Sequence, residues 1–154
     1  MPHIHDLIDF TVETFIVHKN KVLLRKHDKL GIWLSVGGHI ELDEDPNQAA
    51  IREVKEEVGL DIILDNSRQF FKSKAEDYEE LIPPLFLNIH QSTKTHRHIV
   101  LIYFAKTKSD KISQNKENEK SEDIRWFTKK DLEKDKTVHK IVKRYALKAL
   151  EILQ

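Results

Sequence analysis

Residues 37–60 read Gly37-Gly38-His39-Ile40-Glu41-Leu42-Asp43-Glu44-Asp45-Pro46-Asn47-Gln48-Ala49-Ala50-Ile51-Arg52-Glu53-Val54-Lys55-Glu56-Glu57-Val58-Gly59-Leu60. Asp45-Pro46 marks a helix start, with Asp as N-cap and Pro at the first helical position. Gly59 suits the left-handed position just past a helix end. A helix over 46–58 follows. At about 100° per residue, Ala50, Ile51, Val54 and Val58 share an apolar arc that faces a core. Glu53, Glu56 and Glu57, spaced i, i+3 and i+4, gather on the adjoining arc. Arg52 lies one turn before Glu56 and can pair with it, whereas Lys55 points to the far side.

Working outward, the Gly37-Gly38 pair closes a short apolar stretch, 33–36, read as a strand. Before it, residues 10–17 and 22–25 are rich in β-branched and aromatic side chains, and the polar 18–21 between them makes a hairpin. Further strands are expected at 62–64, 70–71, 85–89, 99–105 and 124–127, with an amphipathic helix at 137–153. Polar segments 73–80 and 107–123 read as loops. Strands with two main helices give an α/β fold, and residues 1–154 are read as one domain of mixed sheet and helices.

The acidic helix breaks an otherwise neutral chain. Lys plus Arg and Asp plus Glu are 26 each, which provides no general attraction to nucleic acid or an anionic membrane. Yet from Glu41 to Asp61 eight acids face two bases. Acids beside an apolar stripe, next to a Gly-Gly turn with free carbonyls, make an oxygen-rich site for a hard divalent cation, Mg²⁺ or Mn²⁺. Zinc would prefer His or Cys, and there is no Cys at all. That absence excludes thiolate chemistry and disulfides and suits a reducing cytoplasm. No apolar run long enough to span a bilayer and no signal peptide is visible, so a cytoplasmic protein is expected.

The spacing Gly38, five residues, Glu44, seven residues, Arg52-Glu53-Val54-Lys55-Glu56-Glu57-Val58-Gly59-Leu60 resembles the Nudix box, G-x5-E-x7-R-E-U-x-E-E-x-G-U, of MutT-like hydrolases. All nine specified positions match within the 23 residues 38–60. The flanks Trp33 to His39 and Ile124 to Phe127 are similar to the family's, although Ser35 stands where Pro is common. The resemblance implies an α/β/α sandwich and Mg²⁺-dependent pyrophosphohydrolysis of a nucleoside diphosphate linked to another group: a nucleoside triphosphate, a nucleotide sugar or a dinucleoside polyphosphate. It implies Glu53, Glu56, Glu57 and the Gly37 carbonyl as metal ligands, and Arg52 as the residue orienting the glutamates. Glu44 would support the loop or bind a further ion. Glu53 is the first choice of base, and Glu117, Glu119 and Glu122 are alternatives in the later polar loop. The competing reading is a non-catalytic sensor that binds a nucleotide, although such modules usually lose box glutamates. Homodimers are common in the family; the sequence itself shows no interface patch.

Other positions carry weaker signals. Arg25, at a strand end, can bind phosphate in bidentate fashion, and His39 joins it as a substrate-binding candidate. Tyr78 stands 18 residues after Leu60, reminiscent of the dinucleoside-polyphosphate hydrolases of the family. The proline of its ADP-ribose hydrolases is not matched, since Pro83 and Pro84 come too late. Trp33, Phe71 and Phe86 read as core residues before they read as base-stacking platforms. His96 and His98 would share a strand face, with His90 nearby. Together the three could form a zinc site, but no fourth ligand is evident in the sequence, and surface or substrate-facing histidines are the stronger reading.

Overall fold

A computed structural model describes residues 4–27, 29–114 and 121–154. In chain order its elements are β1 (Ile8–His18), β2 (Lys21–His27), β3 (Trp33–Leu34), β4 (Val36–His39), α1 (Pro46–Val58), β5 (Ile62–Leu64), β6 (Lys74–Ala75), β7 (Tyr78–Glu79), β8 (Phe86–Gln91), β9 (Arg97–Thr107), β10 (Ser121–Thr128), α2 (Lys129–Lys134) and α3 (Lys140–Ile152).

The β1–β2 turn has two residues, Lys19 and Asn20, both at positive φ (46° and 63°). Two-residue loops of this kind match the twist of the strands they join, and Asn tolerates the left-handed region. β1 then pairs in parallel with β9, from Ile8↔Arg97 to Val17↔Lys106. Its other edge meets β4 at Thr11↔His39 through Thr14↔Val36. The central order is β10-β2-β1-β9-β5, with β3 on β2, β4 on β1 and β8 on β9.

Alternation along the central strands divides the core into two layers. Phe15, Val17, Val22, Leu24, Ile102 and Phe104 meet α3 through Tyr145, Ala146, Ala149 and Leu150. Their neighbours Val12, Ile16, Leu23, Tyr103 and Ala105 meet the α1 side, against Ala49, Ala50, Val54 and Val58. The mixed sheet therefore lies between helices, an α/β fold.

Helix α1 runs over the residues read from the sequence. Asp45 accepts from the Gln48 backbone N–H, and the Gln48 side chain accepts from the Asp45 N–H, both at 2.9 Å. Such a box contributes about 1 kcal/mol relative to alanine at the cap. Gly59 ends the helix at φ 70°, its N–H donating to the Lys55 carbonyl. The buried face is rotated from the expected one: Ile51 is exposed, and Ala49 and Glu53 are buried.

Other expectations need correction. Residues 33–36 split into β3 and β4 at Ser35, because β3 pairs with β2 while β4 pairs with β1. Phe70 and Phe71 form no strand and are exposed. Segment 73–80 carries the two-stranded β6–β7 ribbon. Part of 107–123 is ordered against the core: Ser113 N–H donates to the Val58 carbonyl, and the Trp126 indole donates to the Asp110 carbonyl. Helix α2, capped by Thr128 and Asp131, was not foreseen. No helix among the described residues is long and apolar enough to cross a membrane.

Candidate metal and phosphate site

Val54 and Val58 pack with Ile16, Leu23 and Val36, which presses the preceding turn of α1 onto β4. Glu53 lands on Gly38. A Cβ at Gly38 would sit 2.2 Å from Glu53 Oε1, and one at Gly37 would sit 2.1 Å from the Val12 carbonyl oxygen. The glycine pair is therefore required by close approach, of a carboxylate in one case and a neighbouring strand in the other.

Arg52 spans the loop and the helix. Its Nε and Nη2 donate to both Glu44 oxygens at 2.9 and 2.6 Å, and Nη2 also donates to the His39 carbonyl at 3.0 Å. Nη1 donates to Glu53 Oε1 at 3.0 Å and to Glu56 Oε2 at 3.1 Å. One guanidinium thus fixes residues 39–44 against two of the three helix glutamates. Bidentate geometry makes this clamp specific to Arg. Glu44 also accepts from the Glu41 N–H, and Arg52 holds its carboxyl below the usual range. Lys55 pairs outside the group, with Asp61.

Glu57 meets a second arginine. Arg25, two positions beyond Leu23 on β2, faces α1, and its Nε lies 2.8 Å from Glu57 Oε2. The Gly37 N–H also donates to Glu57. Burial nevertheless pushes the Glu57 carboxyl up to about 8; Arg25 opposes that rise and the neighbouring Glu53 adds to it. Burial raises Glu53 as well. The two carboxyls are close enough to bias each other's ionisation, as expected when close acids cannot both ionise. Glu56 stands at the rim, with nearly half its side chain exposed.

These oxygens suit a hard divalent cation. Two carboxyls that resist joint ionisation are what a cation would relieve, and the missing Cβ of Gly38 leaves room for one of them. The donor set is all oxygen, the preference of Mg²⁺ and Mn²⁺.

A cavity of about 450 Å³ is lined by Glu13, Arg25, Gly37, Gly38, His39 and His98 among others, and reaches the glutamate site at Arg25, Gly37 and Gly38. Of the sequence candidates, Arg25, Gly37, Glu44, Arg52, Glu53, Glu56 and Glu57 converge through the contacts above. The His39 carbonyl joins the Arg52 clamp, but its imidazole turns the other way, to Asp9. Tyr78 stands apart on the exposed β6–β7 ribbon, its hydroxyl donating to Glu80. Trp33 is buried core and Phe86 packs on the core, while Phe71 is exposed. Glu117 and Glu119 lie outside the described residues, as does the side chain of Glu122 on β10.

Sequence reasoning missed Glu13 and Asp9. Ser35 Oγ donates to Glu13 Oε2 at 3.2 Å, and burial raises the Glu13 carboxyl. The available signal was period two: Asp9, Thr11 and Glu13 fall on the strand face that continues inward as Phe15 and Val17.

A NUDIX domain profile matches residues 11–149. The crystal structure of a NUDIX-family hydrolase from Clostridium perfringens is similar at TM-score 0.83 and 34% identity, covering 95% of this chain and 98% of that one. Dihydroneopterin triphosphate diphosphatase of Haemophilus influenzae is 43% identical over 61 residues, 39% of each chain. The match thus spans well under half of that relative's length. CTP pyrophosphohydrolase of Escherichia coli is 27% identical over 100 residues, covering 60% of this chain and 72% of the relative.

Proposed function

Because this chain belongs to the NUDIX family, we propose that it is a divalent-metal-dependent pyrophosphohydrolase in which the α1 glutamates form the metal site. The observation that carries this reading is the buried Glu53–Glu57 pair. It is braced by two arginines and backed by a strand with no side chain at Gly38.

Glu53, Glu56, Glu57 and the Gly37 carbonyl would hold Mg²⁺ or Mn²⁺. When bound, such a cation polarises a phosphoryl oxygen and lowers the pKa of a coordinated water. The protein supplies position. Arg52 fixes the glutamate array to the 39–44 loop, and Glu44 holds Arg52 in place. Glu53 is the proposed base that takes the proton of the attacking water. Arg25 compensates Glu57 in the metal-free protein. With a cation held at Glu57, the Arg25 guanidinium would be available to a substrate phosphate, for which bidentate geometry favours arginine.

The proposed substrate is a triphosphate ester of a compound that carries a nitrogen heterocycle, since two similar proteins have such compounds in their names. Water adds to a phosphorus of the anhydride chain, the bridging bond breaks, and a monophosphate and diphosphate leave. The full set of box glutamates favours an enzyme over a nucleotide sensor. The site is proposed to work in the cytoplasm.

A panel of nucleoside triphosphates, nucleotide sugars and dinucleoside polyphosphates, assayed with Mg²⁺ and with EDTA, tests the reading. Mg²⁺-dependent release of diphosphate from a triphosphate supports it. No turnover of any member, with nucleotide still bound, would favour the sensor.

A further inference from the structure

The opposite face of β4 carries a second group of metal-ligand side chains, to which the chemistry above assigns no role. Gly38 faces Glu53, so the next residue, His39, faces away from α1. Its Nε2 lies 3.1 Å from Asp9 Oδ2. His96 Nε2 lies 3.3 Å from the same oxygen. The His98 ring is 5.1 Å from both the His39 and the His96 rings. One ligand atom from each of Asp9, His39 and His98 lies within 4.8 Å of the others. Asp9, His39 and His96 are buried.

We propose that Asp9, His39 and His98 bind a divalent transition metal of the zinc class, at a site separate from the α1 glutamates. Two imidazoles and one carboxylate are a zinc donor set with an open fourth position. Tetrahedral zinc with bonds of about 2.0–2.2 Å places its ligand atoms roughly 3.3–3.6 Å apart. The His39–Asp9 separation is already close to that edge, and rotation of the imidazoles closes the rest. Three strands bring the ligands together: Asp9 on β1, His39 on β4 and His98 on β9, with Asp9↔His98 a direct pair in the parallel register.

The surroundings are arranged as an outer shell. The Ile4 and His5 N–H groups donate to Asp9 at 3.1 and 2.6 Å. His96 Nδ1 donates to the Asp6 carbonyl at 3.1 Å, which holds its ring beside Asp9 and edge-on to the His98 ring. Carbonyl–imidazole bonds of this kind fix ring tautomer and orientation around protein metals. His96 is therefore a positioning residue. His39 and His98 also line the 450 Å³ cavity, so a metal held by them would be reachable from that space.

The test uses the full chain carrying Glu53→Gln, Glu56→Gln and Glu57→Gln, which silences the carboxylate site. Co²⁺ is titrated first and Zn²⁺ second, with visible absorption, bound-metal analysis and imidazole ¹⁵N shifts as readouts. One equivalent of Co²⁺ with a four-coordinate spectrum, displaced by Zn²⁺ with shifts at two histidines, is expected. His98→Ala should abolish that binding, and His96→Gln should weaken it about 10–100-fold. The zinc-induced rise in Tm should also vanish in His98→Ala, with circular dichroism confirming its fold. If His98→Ala failed to fold, His39→Asn would take its place. Absence of bound metal at excess Zn²⁺, or binding unaltered by the histidine substitutions, would overturn the proposal. Either result leaves the hydrolase reading untouched, since that site is silenced throughout.

Discussion

Arg25 Nε lies 2.8 Å from Glu57 Oε2, and this pair joins strand β2 to helix α1 with both side chains mostly withdrawn from water. A buried ion pair adds little net stability, but breaking one side of it is costly. The pair also marks where the two roles of Arg25 meet, as a counter-charge without metal and as a phosphate contact with it.

Arg25→Ala should therefore destabilise the metal-free protein by about 3 kcal/mol only above pH 8, where Glu57 is ionised, and by less below it, where Glu57 keeps its proton. Saturating Mg²⁺ should recover part of the loss by replacing the missing positive charge. Urea unfolding with and without Mg²⁺ measures both effects. Equal destabilisation in the two conditions would show that Glu57 does not meet the cation.

The raised Glu57 carboxyl sets a pH dependence. Its folded value of about 8 lies above the ordinary 4.5, so between these values the native state retains a proton the unfolded chain has lost. Its contribution is full below pH 4.5 and is lost as pH rises through 8. Metal-free stability should accordingly fall across that window, and the fall should be smaller in Glu57→Gln. Mg²⁺ should flatten it, because the ionised form is the one that binds. Denaturant midpoints across the window, compared between the two proteins, decide the matter.

Arg52→Lys keeps the charge and removes the fork that holds Glu44, the His39 carbonyl, Glu53 and Glu56 together. A fall in kcat/KM of about 10–100-fold is expected, the usual effect of losing a partner that orients metal ligands. Far-ultraviolet dichroism should be unchanged. Activity close to wild type would remove Arg52 from its positioning role.

Gly38→Ala places a methyl group 2.2 Å from the Glu53 carboxylate oxygen in the present geometry, so that side chain must move. A displacement near 1 Å costs about 10²-fold in rate. The expected result is a folded protein with weakened Mg²⁺ activation, read from the Mg²⁺ dependence of turnover. A substitution that left this dependence unchanged would mean that the close approach is incidental.

Much of the site was legible because it is local. The residues of α1, its cap at Asp45, its stop at Gly59 and the spacing of Glu53, Glu56 and Glu57 all follow from short-range rules, and the structure follows them. What sequence reasoning missed depends on distant pairing. The parallel contact of β1 with β9 brings Asp9 beside His98 across nearly ninety intervening positions, and no local pattern announces it. For the same reason Arg25 read as a strand-end charge, although β2 carries it onto α1. Ile51 counted as core because an apolar residue was assigned to the nearest arc. The side chain missing at Gly38 instead lets Glu53 lie inside. Phe70 and Phe71 lacked the alternation of a strand, and composition alone misassigned them.

Mn²⁺ binding followed by electron paramagnetic resonance, with a non-hydrolysable triphosphate present, probes the glutamate site most directly. The wild-type protein should bind Mn²⁺, and Glu53→Gln and Glu57→Gln should each lower that affinity and turnover together by at least about 10-fold. Equal Mn²⁺ affinity in all three proteins, or hydrolysis that persists in EDTA, would contradict the account.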